Sequence, residues 1–307
     1  MTRILTLTIL FLSINSLLAQ QFNPEPWPKL NGPYLGQPLP GDKPELFAPG
    51  LISKSDQFEL NSVFSPKQKI FMFSRVIDGT YKMFFSSQNK QGVWSEPRLA
   101  GPSKTYPGHR DVDMTFSPDG KWLYFISDRP LKGYSLDRYN VWRSRIGEFG
   151  LERPEALAAN INGPAHELYP MIVADGSLYF TAPREGGLGG YDSYRAQYKT
   201  DGTFEDPVNL GGSINTKTNE GDIYVSPDES YMVHVSSDRD DGFGRGDLYI
   251  SFKQSDGSWS KDKNMGPDFN TKGMDYCPVV TPDGKYFFFS RDGDVFWVDA
   301  KMLQSYN

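Results

Sequence analysis

The sequence repeats a tight-turn signature five times, and this internal repeat limits the chain to few folds. In its fullest form the signature reads Ser/Thr-Pro-Asp-Gly, in which proline presets the first turn residue and glycine supplies the left-handed one. Short β-rich runs flank every copy, so each turn is predicted to join the two strands of a hairpin. The copies recur about every 52–56 residues, at 65–67, 117–120, 174–176, 226–229 and 281–284.

Each repeat contains enough β-rich sequence for a four-stranded sheet. A third strand follows the hairpin, as at 139–142, and a fourth follows in the first four repeats, as at 206–211. Four strands per unit is typical of a propeller blade. The fifth repeat lacks its outer strand, whereas residues 44–52 match the fourth-strand pattern without a blade of their own. The sequence therefore predicts an all-β, five-bladed β-propeller of four-stranded blades, with the N-terminal strand completing the last blade and removing its open edge. A β-sandwich with chance similarity between segments is the alternative.

The N-terminal residues differ in composition from the repeats. Arg3 precedes an apolar run from Ile4 to Leu18 that stops at Gln20, which is the pattern of a secretory signal peptide and is too short for a spanning helix. We assign 1–19 to this signal peptide, 20–43 to an extended Pro-rich lead-in and 44–307 to the propeller. The protein is expected to be exported, either periplasmic or secreted, with no membrane span after signal cleavage. An uncleaved N-terminal anchor is the alternative.

Charge and cysteine content exclude two classes of protein. The chain carries 32 Lys and Arg against 38 Asp and Glu, a net charge of −6, which disfavours the basic face that nucleic-acid binding requires. The one cysteine, Cys277, has no partner for an internal disulfide, which argues against a disulfide-stapled fold. We therefore expect no binding of nucleic acid. The protein is also expected to be a monomer.

Two parts of the repeat carry a family resemblance. The segment 117–129, SPDGKWLYFISDR, resembles the WD-like, TolB-type propeller repeat. The segments 186–192 and 206–211, with Ile214-Asn215, are similar to the version found beside OmpA-type domains in Bacteroidetes-like envelope proteins. The resemblance covers nearly all of the chain after the signal peptide and implies a propeller. It implies either a binding module or an enzyme, since such propellers include both, oligogalacturonate lyases among them.

Every repeat also places an acid before its turn and an arginine after it. In a hairpin these positions are cross-strand neighbours, so five acid–arginine pairs are predicted to ring one mouth of the channel. An acid in every blade resembles an active-site carboxylate cluster, but a device present in all five blades favours a packing role. The predicted pairs are Glu59–Arg75, Asp111–Arg129, Glu167–Arg184, Glu220–Arg239 and Asp275–Arg291.

Positions that break the repeat are stronger candidates for a site, because symmetry does not account for them. His109-Arg110 and His166 enter the inner strands of adjacent blades at the same mouth, whereas His234 lies within a strand and is interpreted as structural. Longer loops at 130–137, 185–191 and 240–246 are expected to rise around this mouth. Deeper in the channel the inner strands are predicted to present Asn61, Asp113, Tyr169, Asp222 and Cys277, with Tyr224 one step further.

This mouth offers the groups that elimination at an acidic sugar requires. A cation neutralises the uronate carboxylate and acidifies the adjacent C–H, and a base and an acid then move the protons. We predict His109, His166 and Tyr169 as catalytic residues. The predicted substrate-binding residues are Arg110, Asp113, Asp222, Tyr224, Arg129 and Arg184. The hypothesis is an exported lyase or dehydratase that acts by β-elimination on acidic, uronic-acid-containing oligosaccharides.

Two other functions stay open. A non-catalytic TolB-like propeller would bind a glycan or an envelope protein. A glycoside hydrolase would need two carboxylates roughly 5–10 Å apart, for which Asp113 and Asp222 are candidates. No metal or other cofactor is predicted, because His109 and His166 lack an evident third ligand. A divalent cation at 240–247 is the alternative to ordinary turn chemistry there.

Overall fold

Five antiparallel sheets account for nearly all regular structure in the computed structural model, which describes residues 26–132, 138–148 and 150–307. One short α-helix, Gly101–Thr105, and two 3₁₀ segments, Tyr34–Gly36 and Ala300–Tyr306, complete the regular elements of these ranges. The strands are β1 (Glu45–Leu46); β2 (Glu59–Phe64), β3 (Ile70–Ile77), β4 (Thr80–Ser87) and β5 (Arg98–Leu99); β6 (Asp111–Phe116), β7 (Trp122–Ser127), β8 (Asn140–Gly147), β9 (Gly150–Leu151) and β10 (Glu155–Ala156); β11 (Leu168–Ile172), β12 (Leu178–Ala182), β13 (Asp192–Ala196) and β14 (Val208–Asn209); β15 (Asn219–Val225), β16 (Tyr231–Ser237), β17 (Asp247–Phe252) and β18 (Lys263–Asn264); and β19 (Asp275–Val280), β20 (Tyr286–Arg291) and β21 (Asp294–Asp299).

Each sheet is one blade of a five-bladed β-propeller. Blades 1 to 4 begin with the inner strands β2, β6, β11 and β15, and blade 2 carries the extra short strand β9 paired to β8. Blade 5 has the order β1-β21-β20-β19, with Glu45 opposite Trp297 and Leu46 opposite Phe296. The predicted closure by the N-terminal strand is therefore confirmed, and it pairs the edge that β21 would otherwise leave open.

The repeated turn is built by its own side chains. In blade 2 the Ser117 hydroxyl donates to Asp119 at 2.6 Å and accepts the Trp122 N–H at 2.9 Å, while Asp119 accepts the Lys121 N–H at 3.0 Å. Gly120 takes the left-handed φ of +69°. Serine, aspartate and glycine thus each satisfy a separate demand of the turn, which explains why the signature recurs.

A second repeated device anchors the segment that leaves each blade to the third strand of that blade. The outer strands are short, and the segment that follows each one sends a polar side chain back to the third strand, where it accepts a backbone N–H. The acceptors are Ser53 (from Val295, 3.0 Å), Ser103 (from Met83, 3.0 Å), Asn162 (from Val141, 2.7 Å), Asn215 (from Ser193, 2.7 Å) and Asn270 (from Leu248, 2.7 Å). These bonds satisfy buried N–H groups that the short outer strands leave unpaired.

Apolar side chains fill the spaces between blades. At the junction of blades 5 and 1, Phe47 contacts the rings of Phe71, Phe288 and Trp297 with centroids 4.9–5.3 Å apart. Such aromatic contacts add to the apolar area removed from water. Residues 26–43 of the lead-in lie against the same junction through buried Tyr34, whose hydroxyl donates to Asp283 at 2.5 Å.

The N-terminal assignments remain predictions. The signal peptide at 1–19 lies outside the described residues, as do 20–25 of the lead-in. Within the part of the chain that the structure describes, no helix has the length and apolar character needed to cross a bilayer.

Candidate functional site

The five inner strands surround a central channel, and each is irregular at the same place. The pairing register shifts between Leu60 and Val63 in blade 1, and at the equivalent position of every other blade. In four blades the residue at this bulge has a left-handed φ of 47° to 53°. As predicted, Asn61, Asp113, Tyr169, Asp222 and Cys277 all line one narrow cavity of about 30 Å³, which we call the throat.

Polar contacts within the throat link neighbouring blades. The Asn61 side-chain oxygen accepts the Met114 N–H at 2.7 Å, and Asp222 accepts the Cys277 N–H at 2.6 Å. The Oδ1 atom of Asp113 is buried without a hydrogen-bond partner. Burial, followed by the charge of Asp222, raises the pKa of Asp113 well above its usual range. The throat therefore holds two neighbouring carboxyl groups that are buried from solvent.

The channel opens at the end where the inner strands begin, and we call this opening the acid-side mouth. There Asp128 lies beside two predicted site residues, His109 and Arg110. Asp128 forms an ion pair with the Arg110 guanidinium, with 2.7 Å between Nε and Oδ2, and accepts the Arg110 N–H at 2.8 Å. The His109 Nδ1 atom lies 3.3 Å from Asp128 Oδ1. The histidine and arginine side chains are each about one-third exposed, at 31% and 34%. The carboxylate fixes Arg110 through hydrogen bonds and lies beside His109, and both side chains are open to solvent.

A tyrosine connects this group to blade 3. The Arg110 guanidinium lies 4.8 Å from the centre of the Tyr139 ring, and the ring centres of Tyr139 and His166 are 5.9 Å apart. The Tyr139 N–H donates to His166 Nδ1 at 3.1 Å. Because Nδ1 accepts, the neutral imidazole carries its proton on Nε2. Burial, with the charges of Arg138 and Arg110, lowers the pKa of His166.

The structure thus brings together His109, Arg110 and His166. We call this set, with Asp128 and Tyr139, the histidine–arginine cluster. Sequence reasoning did not select Asp128 or Tyr139. Asp128 was overlooked because Ser-Asp-Arg also occurs at 237–239 in blade 4, so it looked like part of the repeat. Only the pairing of Asp111 with Ser127, which brings Asp128 beside Arg110, identifies it.

Tyr169 and Tyr224 lie away from this cluster. Tyr169 is in the throat, where its hydroxyl interacts with the Asp222 carboxylate; burial and the charges of Asp222 and Asp113 raise its pKa well above its usual range. Tyr224 lines a different cavity, at the end of the channel formed by the repeated turns. The structure therefore does not place either phenol at the acid-side mouth.

Arg129 and Arg184 lie within their blades. Arg129 is 6% exposed, forms an ion pair with Asp111 at 2.7 Å, and lies over the rings of Phe125 and Trp142. Arg184 donates to the carbonyl of Ile161 at 2.5 Å. Both arginines are engaged with the blade scaffold, so the structure does not present them to a substrate at the acid-side mouth.

The predicted acid–arginine pair is present in blades 1, 2, 3 and 5, and the prediction is wrong for blade 4. Ion-pair distances are 2.6 Å for Glu59–Arg75, 2.7 Å for Asp111–Arg129, 3.9 Å for Glu167–Arg184 and 2.6 Å for Asp275–Arg291.

In blade 4, Arg239 instead binds Asp262 at 2.5 Å, and Glu220 accepts hydrogen bonds from Thr216 and Ser236. Asp262 also lies 3.1 Å from Nε2 of buried His234, as expected for a histidine with a structural role. Hydroxyl donors satisfy Glu220, which frees Arg239 for a carboxylate on a different loop.

The longer loops of blades 3 and 4 are organised by carboxylates. Asp247 accepts the N–H groups of Phe243 and Gly244, at 3.0 and 3.3 Å, and Asp192 accepts those of Leu188 and Gly189 in the same way. Turn chemistry therefore accounts for the acid-rich segment at 240–247. Among the described residues no group of three or more His, Cys, Asp or Glu is arranged to hold a metal ion. Residues 133–137 of the blade 2 loop lie outside the described ranges.

Similarity to known proteins is found among solved structures, at 14–18% identity and TM-scores below 0.5. No protein-family model matches the chain, and no curated protein sequence matches it. A protein assigned as TolB from Agrobacterium tumefaciens is similar over 84% of this chain and 76% of its own, at 18% identity and a TM-score of 0.47. A protein of unknown function from Dyadobacter fermentans is similar over 85% and 83%, at 14% identity and a TM-score of 0.49. A gluconolactonase from Xanthomonas campestris is similar over 87% and 97%, at 14% identity and a TM-score of 0.46.

Proposed function

We propose that this propeller acts on acidic, uronic-acid-containing oligosaccharides by β-elimination at the acid-side mouth. The observation that carries the proposal is the histidine–arginine cluster, in which His109 and Arg110 lie beside the Asp128 carboxylate and remain partly exposed. We further propose that the protein is exported, because of the apolar segment at 4–18, and that it works as a monomer.

His109 is the proposed base. The Asp128 carboxylate beside Nδ1 favours the tautomer with its proton on that nitrogen, which leaves the Nε2 lone pair for the substrate. Nε2 removes the proton on the carbon adjacent to the uronate carboxylate. The electron pair forms a carbon–carbon double bond, the next carbon–oxygen bond breaks, and the leaving oxygen takes a proton from water. The hydroxide that remains takes the proton from His109 Nε2, which returns the histidine to its neutral form. The product is an unsaturated sugar.

Arg110 and His166 are proposed to hold the substrate. The guanidinium neutralises the uronate carboxylate, which acidifies the adjacent C–H. His166 presents Nε2–H as a hydrogen-bond donor to the leaving oxygen, because Nδ1 is occupied by the Tyr139 N–H. The Tyr139 ring, which lies under the Arg110 guanidinium, offers an apolar face to a sugar ring. Tyr169, Asp113, Asp222, Tyr224, Arg129 and Arg184 have no part in this step.

Non-catalytic binding of the same glycan is the second candidate, and one observation favours it. His166 has a lowered pKa and Tyr139 a raised one, so both stay neutral near pH 7 and act as hydrogen-bond donors, which suits recognition. Hydrolysis by Asp113 and Asp222 is disfavoured, because the throat that contains them has a volume of about 30 Å³, room for one water and not for a sugar ring.

The test is ultraviolet absorbance of the conjugated double bond during incubation with uronic-acid oligosaccharides, with calorimetry for binding. We expect His109→Gln to retain binding and to lower the elimination rate by about 10²–10⁴-fold, the usual contribution of a general base. Arg245→Gln, which changes an arginine that is 76% exposed and outside the cluster, is the control. Binding by the wild type without unsaturated product would overturn the lyase in favour of the binding module. New reducing ends without a double bond would indicate hydrolysis.

A further inference from the structure

The opposite end of the channel contains a larger cavity that the proposed function does not use. It has a volume of about 580 Å³ and opens where the repeated turns lie, so we call it the turn-side cavity. The turn prolines Pro66, Pro118, Pro227 and Pro282 contribute to its lining, together with apolar side chains such as Met171. Its volume is within the range of pockets that hold small organic ligands, and its walls are mostly apolar.

The inner end of this cavity meets the throat. Val63, Thr115, Met171 and Val279 line both spaces, so the two adjoin along the channel axis. Asp113 lies just beyond them in the throat. This residue is only 4% exposed, and its Oδ1 atom has no hydrogen-bond partner. An unpaired buried carboxylate oxygen is costly, and a ligand that supplies a donor would remove that cost.

The size of the throat and the charges around it indicate which ligand group could donate to Asp113. The throat volume of about 30 Å³ accommodates one group the size of a water molecule. The described residues that line the turn-side cavity include Asp228 and no lysine, arginine or histidine, so the cavity lacks a cation of its own. Asp113 and Asp222 at its inner end make that end the attractive pole for a positive charge.

We propose that the turn-side cavity binds a primary ammonium group carried on an apolar body, with the ammonium in the throat donating to Asp113 Oδ1. The apolar body occupies the cavity among the turn prolines and Met171. The ligand is either a small amine or the free N-terminus of a peptide, since both present the same ammonium. This inference is independent of the proposed function, which concerns an anionic ligand at the other mouth.

The test measures binding by calorimetry with phenethylammonium and its neutral counterpart 2-phenylethanol. We expect saturable binding of the ammonium and at least tenfold weaker binding of the alcohol. Asp113→Asn should weaken ammonium binding at least tenfold, whereas Asp119→Asn should not change it. Asp119 lies in the same blade, and its side chain is 50% exposed, so it controls for loss of one aspartate charge.

Peptide ligands distinguish a small amine from the free N-terminus of a peptide. Phe-Ala-Ala amide with a free N-terminus should bind more tightly than phenethylammonium if the ligand is a peptide, and N-acetylation should abolish that binding. A free peptide that does not bind while phenethylammonium does indicates a small amine. Equal binding of phenethylammonium and the alcohol by the wild type would overturn the proposal, as would unchanged affinity in Asp113→Asn. The comparison of ligands needs no variant, so it decides the matter even if Asp113→Asn does not fold.

Discussion

Blade 2 contains two Asp–Arg pairs with the same ion-pair distance and different exposure. Asp111 and Arg129 are 2.7 Å apart with side chains 0% and 6% exposed, and Asp128 and Arg110 are 2.7 Å apart with side chains 11% and 34% exposed. The first pair has counterparts in three other blades, whereas the described residues contain one histidine–arginine cluster, to which Arg110 belongs. The repeated pair is buried within its blade, and the pair that departs from the repeat is partly exposed at the acid-side mouth.

Burial explains why the two pairs differ. Arg129 lies over three aromatic rings and Asp111 also accepts the Ser103 hydroxyl at 2.9 Å, so both charges are surrounded by the blade. Arg110 lies over the Tyr139 ring at the solvent boundary, with a side chain that is 34% exposed. Charges inside the blade depend on each other, whereas charges at the mouth can exchange one partner for another.

Breaking the buried pair gives the largest expected effect. Arg129→Met leaves Asp111 buried without its cation, which should lower the free energy of unfolding by about 3–5 kcal/mol. Arg110→Met should cost about 1 kcal/mol or less, as exposed pairs do. Denaturant unfolding of both variants at neutral pH measures the difference. Equal losses would show that the two pairs do not differ in structural role.

The loosest repeated pair predicts a pH dependence of stability. Arg184 is 3.9 Å from Glu167, and burial raises the pKa of Glu167 from 4.5 to about 7. Since the folded protein holds this proton more tightly than the unfolded chain, the contribution of Glu167 to stability is complete below pH 4.5 and is lost as pH rises through 7. The loss amounts to roughly 3 kcal/mol.

Glu167→Gln tests this pH dependence. The variant should reduce the stability difference between pH 5 and pH 8 by roughly 3 kcal/mol relative to the wild type, measured by urea unfolding at both pH values. Glu155→Gln is the matched control, because Glu155 forms an ion pair with Arg143 and its side chain is 54% exposed. An unchanged difference in Glu167→Gln would mean that Arg184 holds Glu167 charged as tightly as the closer pairs do.

The exposed pair is also expected to affect ligand binding through Arg110. Arg110→Gln removes the charge proposed to bind the uronate, and a hydrogen bond to a charged group is worth about 1.5–3 kcal/mol, or roughly a 10- to 100-fold loss of affinity. Calorimetry with a uronic-acid oligosaccharide measures it, with Arg245→Gln as the control. If Arg110→Gln loses affinity for the uronic-acid oligosaccharide and not for an uncharged one, the effect lies at the carboxylate. Equal loss for both ligands would contradict that assignment.

The repeat made the architecture predictable, because turn chemistry, strand count and ring closure are local patterns that recur. The candidate site was only partly predictable. His109, Arg110 and His166 stood out as departures, but the role of Tyr139 depends on its backbone N–H meeting His166 across two blades. Likewise, Arg239 prefers Asp262, a carboxylate from an outer loop 23 residues away, over Glu220. Contacts of this kind depend on how blades pack and leave no local signature.

The smallest expected effect concerns the repeated turn itself, where a departure need not mean function. The left-handed turn residue is glycine in blades 2, 3 and 5, whereas Gln68 in blade 1 has a φ of +52°. Gln68→Gly relieves this backbone conformation, which costs roughly 1 kcal/mol for a residue with a side chain, but it also loosens the unfolded chain and removes a contact with Asp283. We expect a net change in unfolding free energy of no more than about 1 kcal/mol, with no change in either ligand's affinity. A larger loss would assign Gln68 a structural role across the junction of blades 1 and 5.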